Sequence, residues 1–308
     1  MMKVFGFYFI YSIIWLVTLL PIRVLYVFSD ILYLLVYHVF KYRKKVVFDN
    51  LYHAFPEKSE PEITKIAKAF YRHFADLMVE TMKIVHFSKE HINSRFHYKN
   101  VEIFDKLFDE GKSVVLISGH YGNWEWTLTL PTKVRHKSMP VYKPLADERF
   151  DILFNKIRGK FITNGGLIPM NSAFKKVIEA EANREKIVMY FLGDQTAPKN
   201  SKLWISFMNR ETPFYSGPEK IARKFNHTVV FMNIDKVKRG FYEVEFFPLF
   251  DNPSKTDELE ITKKHVAILE GFIRKKPELW LWSHRRWKHQ KENSGDANNS
   301  SANSLNFT

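Results

Sequence analysis

Apolar side chains crowd the start of the chain and then resolve into shorter, patterned runs. Residues 4–20 carry no charge, and only Gly6, Ser12 and Thr18 interrupt the large apolar side chains. As a helix this stretch would reach roughly 25 Å, the short end of a membrane span. A second apolar run over 24–40 is broken by Ser29 and Asp30, and the basic cluster Lys41-Tyr-Arg-Lys-Lys45 follows both. Basic clusters beside apolar segments tend to stay on the cytoplasmic side. A secretory leader would offer a small-x-small cleavage site, whereas Pro21-Ile-Arg23 leads into further apolar sequence. The expectation is a retained membrane anchor over 1–40, with 24–40 open between crossing the bilayer and lying along it.

Beyond the anchor, residues 46–55 and 61–87 read as helices. Ile63, Ile66, Phe70, Phe74, Leu77, Met78 and Met82 recur at steps of mostly three and four, a stripe suited to core packing or to a membrane surface. From about Arg95 the pattern changes to short apolar strands alternating with helices. The strands are expected over 113–118, 139–142, 166–169, 186–192, 228–235 and 241–247. The helices are expected over 124–130, 149–163, 172–183, 217–225 and 257–276. Such alternation indicates an α/β domain with a largely buried sheet. The expected division is an anchor over 1–40, a helical membrane-proximal region over 41–94, an α/β domain over 95–291, and an Asn/Ser-rich disordered tail over 292–308.

Composition narrows the function. The 308 residues carry a formal net charge of +14 and 28 Phe. That balance fits an anionic membrane surface or a phosphate-bearing substrate. Nucleic acid is the other common partner of a basic chain, but no helix-turn-helix, zinc-finger or RNP-like pattern accompanies the charge. The absence of Cys removes disulfides, thiolate metal sites and a Cys nucleophile.

Ligand sites in α/β sheets collect beyond the carboxyl ends of the strands. The first such point is Gly119-His-Tyr-Gly-Asn-Trp-Glu-Trp126, directly after the strand ending at Ser118. A histidine followed five places later by an acid is weak evidence by itself, because His97 with Glu102 and His265 with Glu270 share the spacing. On a continuous helix residues five apart diverge. Only His120 has glycines, Gly119 and Gly122, that could break the chain between the partners. A carboxylate on one ring nitrogen fixes the tautomer and leaves the other nitrogen as a base, so His120 is the expected base and Glu125 the acid that orients it. Ser118 more plausibly ends a strand than acts as a nucleophile, since no Gly-x-Ser-x-Gly elbow is present. Asp194 and Gln195 follow the strand over 186–192, and Lys143 follows the strand over 139–142. The segment Trp280-Leu-Trp-Ser-His-Arg-Arg-Trp-Lys288 is a further cluster of aromatics and cations. Neither a His-x-x-x-His pair nor clustered carboxylates accompany His120, so no metal is expected.

Four ordered segments give the chain a resemblance. Arg43-Lys-Lys-Val-Val-Phe-Asp-Asn-Leu-Tyr-His-Ala-Phe-Pro-Glu57, Gly119-His-Tyr-Gly-Asn-Trp-Glu-Trp126, Asp194-Gln195 and Pro277-Glu-Leu-Trp-Leu-Trp-Ser-His-Arg-Arg-Trp287 resemble, in this order, the lipid A biosynthesis late acyltransferases. The resemblance runs from the anchor to about Lys288. It implies a glycerolipid-acyltransferase-like α/β fold, a central mixed sheet flanked by helices with an N-terminal membrane-anchoring segment. It implies an inner-membrane enzyme facing the cytoplasm that moves a fatty acyl group from acyl carrier protein to a hydroxyl of a lipid A precursor, without a cofactor. By motif, His120 and Glu125 match the family's histidine–acid pair, Arg158 its site arginine and Asp194 its aspartate. Arg158 and Lys143 are the expected binders of phosphate, with Gln195 beside Asp194. The wording of the Gly119 segment looks more like the Bacteroidetes branch, whose relatives could acylate other lipids. An aminolipid or lysophospholipid acceptor, a coenzyme A thioester donor, and a noncatalytic basic membrane-binding role stay open as alternatives.

Overall fold

The strand Val114–Ser118, with five consecutive buried residues, lies near the centre of the fold and dictates its layers. Successive side chains of a strand point to opposite faces. Val114 and Leu116 accordingly join a cluster with Trp126, Val188, Tyr190, Val230 and Met232. Val115 and Ile117 join another with Val177, Met189, Ile221 and Val229. A strand apolar on both faces must be covered on both, and the sheet is flanked by helices on each side.

In the computed structural model, which describes residues 2–197, 201 and 203–289, the side chains of 2–8 and 10 excepted, these elements follow in order. Helices α1 (Met2–Val17), α2 (Ile22–Leu34, continued by a π-helical turn Leu35–Val39), α3 (Lys44–Ala54), α4 (Glu60–Lys83) and α5 (Lys89–Asn93) precede strand β1 (Phe96–Tyr98). Helix α6 (Ile103–Asp109) leads to β2 (Val114–Ser118), a 3-10 helix Trp124–Thr132, β3 (Lys137–Tyr142) and α7 (Glu148–Arg158). Then come β4 (Ile168–Pro169), α8 (Ala173–Ala182), β5 (Ile187–Leu192), β6 (Trp204–Phe207) and β7 (Arg210–Pro213). Helix α9 (Gly217–Phe225), β8 (Thr228–Lys238), β9 (Phe241–Phe250) and α10 (Glu260–Lys275) complete the order. Seven strands form one mixed sheet in the order β1-β9-β8-β2-β5-β3-β4. Its pairs are parallel except for β8 with β9. Strands β6 and β7 form a separate antiparallel hairpin.

Most of the expected elements are present, with informative differences. The expected α-helix over 124–130 is a 3-10 helix, Trp124–Thr132, which contains Thr127, Thr129 and, near its end, Pro131. Proline cannot donate within a helix and β-branched threonines disfavour one. The helix expected over 149–163 ends at Arg158, before Gly159. Strand β1 and the β6–β7 hairpin were not anticipated. The aromatic segment from Trp280 forms turns rather than a strand or helix, meeting the turn beyond the carboxyl end of β2 through an antiparallel bridge from Trp280 to Tyr121. The expected tail over 292–308 lies outside the described residues.

Helix α4 packs mainly inward. Its start at Glu60 is fixed by Ser59 and Glu62, with the Ser59 N–H donating to the Glu62 carboxylate at 2.9 Å, a capping-box contact. Ile63, Phe70 and Tyr71 sit in a core shared with α3, α10 and Trp282. The stripe is thus chiefly core packing, with Met78 left exposed. Helix α2 lies against α4 through polar contacts. Tyr26 donates to Glu80 at 2.8 Å, Ser29 to Asp76 at 2.7 Å, and Asp30 receives Arg239 at 2.7 Å. Its opposite face exposes Val24, Val27, Phe28, Ile31 and Leu34. Among the described residues one helix, Ile22–Val39, is long and apolar enough to cross a membrane.

Candidate active site

Strand register builds the site. Strands β2 and β5 are adjacent and parallel, with Ser118 opposite Leu192. Two residues beyond each strand end, His120 and Asp194 therefore come side by side. The Asp194 carboxylate accepts from the His120 ring at Nδ1 (2.6 Å) and from the His120 backbone N–H (2.8 Å). It also takes the Trp280 indole N–H at 2.8 Å. Burial alone would raise this carboxyl. The electrostatic pull of the His120 ring and the donors from His120 and Trp280 outweigh burial and hold it down to about 2. An ionised acceptor at Nδ1 places the ring proton there and leaves Nε2 with its lone pair. That nitrogen accepts from the Gln195 side-chain amide at 2.9 Å, and the Trp124 ring meets the imidazole edge-on, with centroids 5.2 Å apart.

Two glycines let the turn close. A Cβ at Gly119 would stand 2.7 Å from a Leu269 methyl and 3.1 Å from the Asp194 carboxylate. Gly122 has φ +62, and a Cβ there would stand 2.5 Å from the Ile234 carbonyl. Only glycine meets both demands without strain.

The expected contact between Glu125 and His120 does not form. Glu125 points from the 3-10 helix toward α7, where Arg158 grips it through two bonds, Nε at 3.0 Å and Nη2 at 2.6 Å. The reason is the turn geometry. The His120 backbone N–H and ring are already committed to Asp194, and the helix that starts at Trp124 carries Glu125 to the next element along the sheet. Arg158, expected to hold phosphate, makes a bidentate pair with Glu125. Lys143 is exposed beyond the end of β3 with no hydrogen bond or ion pair among the described residues. The structure thus brings His120, Asp194 and Gln195 together, joins Glu125 to Arg158, and leaves Lys143 apart. His97 and His265, which share the His120 spacing, are placed differently. His97 lies on β1, and His265 is buried on α10, bonded through Nδ1 to the Ile261 carbonyl.

Sequence reasoning singled out the Trp280 segment for its aromatics without reading its role as donor to Asp194. Glu80, His73 and Asn123, which hold the turn from behind, were missed altogether. Buried polar residues at helical spacing in α4, His73, Asp76 and Glu80, among apolar neighbours were the available signal.

The whole of residues 1–289 matches the family model of the bacterial lipid A biosynthesis acyltransferases. The chain belongs to that family. Curated relatives of this acyltransferase are distant. A lipid A biosynthesis acyltransferase of Haemophilus influenzae is 22% identical over 242 residues, 76% of this chain and 72% of the relative. A lipid A biosynthesis palmitoleoyltransferase of Escherichia coli is 21% identical over 284 residues, covering 90% of this chain and 89% of its own. A lipid A biosynthesis acyltransferase of Shigella flexneri matches to the same extent. Membership makes the protein an acyltransferase of lipid A biosynthesis, with a lipid A precursor as the implied acceptor.

Proposed function

We propose that this acyltransferase works at the cytoplasmic face of the inner membrane, taking its fatty acyl group from acyl carrier protein and delivering it to a hydroxyl of the lipid A precursor. The observation that carries the proposal is the His120–Asp194 pair at the carboxyl ends of β2 and β5, in a chain of this family. Asp194 keeps the ring proton on Nδ1, and Nε2 takes the proton of the acceptor hydroxyl. The acceptor oxygen attacks the thioester carbonyl, and the tetrahedral intermediate collapses to the new ester and the carrier thiolate. The proton on Nε2 then passes to that thiolate.

Gln195 has to swing off Nε2 when the hydroxyl arrives, and its freed amide can donate to the developing oxyanion. Glu125 acts in this scheme through Arg158 rather than through His120. The pair sets the shape and charge of the site wall beside the base. Lys143, exposed and unpaired among the described residues, is left to meet an anionic group of either substrate.

Membrane attachment is supported by the apolar outer face of α2 and by the basic cluster Lys41 to Lys45 that follows it. The hydrogen bonds from the inner face of α2 to α4 favour a helix lying along the bilayer over one crossing it.

The test is mass spectrometry of a lipid A precursor incubated with the purified protein and acyl-carrier-protein donors of several chain lengths. One added acyl chain, dependent on the donor, is the expected result. Acylation of an aminolipid or lysophospholipid in place of the precursor would refute the acceptor, and transfer from coenzyme A thioesters alone would refute the donor.

A further inference from the structure

The turn that carries His120 is gripped from behind by one face of α4. Glu80 lies wholly buried there. One carboxylate oxygen accepts from the Tyr26 hydroxyl at 2.8 Å. The other accepts from the Asn123 side-chain amide at 2.7 Å and from the Tyr242 hydroxyl at 2.8 Å. The Glu80 backbone carbonyl also takes the indole N–H of Trp126 at 3.2 Å. Asn123 in turn uses its own carbonyl oxygen to cap the 3-10 helix, receiving the Trp126 N–H at 3.1 Å. Two helical turns earlier, His73 donates through Nε2 to the Gly122 carbonyl at 3.2 Å.

A carboxylate in such a place is expensive. Burial is the main cause that pushes its pKa up, to about 7, against the opposing pull of Lys236 and the two tyrosine hydroxyls. An apolar side chain would serve packing alone without that cost. What an apolar side chain cannot do is hold Asn123, one of the four residues between His120 and Glu125 in the chain.

We propose that Glu80 is a positioning residue for acyl transfer: it fixes Asn123, and so sets where His120 and Glu125 stand relative to each other. This rests on the reading of His120 as the base. Glu80 touches neither His120 nor any reacting atom. It acts through Asn123, with Tyr26 of α2 and Tyr242 of β9 holding the carboxylate in register.

Three variants separate positioning from mere stability. Glu80→Leu removes the acceptor. Asn123→Ser keeps a helix cap but is too short to reach Glu80. Glu80→Gln can turn its oxygen to Asn123 and Tyr242 and its amide to the Tyr26 oxygen. In the full chain, embedded in lipid nanodiscs, Glu80→Leu and Asn123→Ser should each lower kcat by about 10–100-fold, the scale of a displaced reacting group. KM should move less than about threefold, as fits a loss felt in the transition state only. Combining them should add little, because both cut the same link. Glu80→Gln should stay within about threefold of the parent. Backbone amide exchange over 119–126, measured without substrate, should quicken in the first two variants and not in the third.

A folded Glu80→Leu with parent kcat and parent exchange would overturn the proposal. If that variant does not fold, an unchanged kcat in Asn123→Ser overturns it equally, and so do fully additive losses. A parent protein without acyl transfer would refute the proposed function alone, since the exchange measurement still reads the link to Glu80.

Discussion

At the scale of single residues, the chemistry depends on which acid meets His120. The sequence pattern pointed to Glu125 because the two stand close in the chain and are framed by glycines. The contact is made instead by Asp194, 2.6 Å away across two strands. His120, Asp194, Gln195 and Arg158 were each readable as candidates from strand ends or from resemblance. Their pairing was not, because it follows from the neighbour order and register of β2 and β5, which local periodicity does not encode. Two expectations follow. Asp194→Asn puts an amide where the ring N–H, the His120 N–H and the Trp280 indole all need an acceptor. Acyl transfer should fall by about 10²–10⁴-fold, the usual contribution of a working general base, in a steady-state assay of folded protein. Arg158→Lys replaces a two-pronged grip on Glu125 by a point charge. A loss of about tenfold in kcat/KM is expected, and full activity in this variant would show that the pair has no bearing on the reaction.

At the scale of elements, the turn between β2 and the 3-10 helix is where local sequence was most informative. Gly122 was read as a break in the chain, and its φ of +62 and its contact with the Ile234 carbonyl give that reading a physical basis. Gly122→Ala should lower stability by about 1–3 kcal/mol from the backbone strain alone, with the clash adding to it. Chemical denaturation would measure this, and an unshifted midpoint would contradict it. The 3-10 character of 124–132 was less legible, since the apolar pattern of a short helix does not distinguish the two hydrogen-bonding schemes. Helix α2 shows a similar gap. Its composition announced an apolar segment that Tyr26 did not interrupt, while Ser29 and Asp30 looked like breaks in it. Together the three are the face that binds α4 and Arg239. Replacing Val27 and Ile31 on the opposite face by Asp should release the protein from anionic vesicles in a flotation assay without changing its melting temperature. Retained flotation would count against the lipid-facing reading.

At the scale of the whole molecule, the alternation of strands and helices gave the α/β class, and the two-sided apolar strands gave a sheet covered on both faces. The hairpin β6–β7 escaped because its strands, Trp204–Phe207 and Arg210–Pro213, are four residues each and mix polar with apolar side chains. Buried and half-buried histidines give the molecule a predictable response to acid. Burial is the main cause that lowers His73 to about 3, and His265 and His284 each to about 4, from an ordinary 6.5. The folded state holds them neutral while the unfolded chain protonates near 6.5, so the stability they contribute is complete above that pH and is lost as pH falls toward 4 and 3. Asp194, held down to about 2, adds a loss of the same sign below its unfolded value near 3.8. Glu80, raised to about 7, works in the opposite direction, favouring the folded state as it takes up a proton below 7. Three histidines against one carboxylate leave a net loss of stability as the pH falls. Melting temperature should therefore fall steadily between pH 6.5 and 4. A flat profile over that range would show that these imidazoles are reachable by solvent.

The most direct measurement is the initial rate of acyl transfer to a lipid A precursor by the His120→Gln protein, compared with its parent in the same membrane mimic. Glutamine can still donate to Asp194 but cannot take the hydroxyl proton. A rate about 10²–10⁴-fold lower is expected from protein that melts like the parent. A folded His120→Gln variant transferring at the parent rate would contradict the role of His120 as the base.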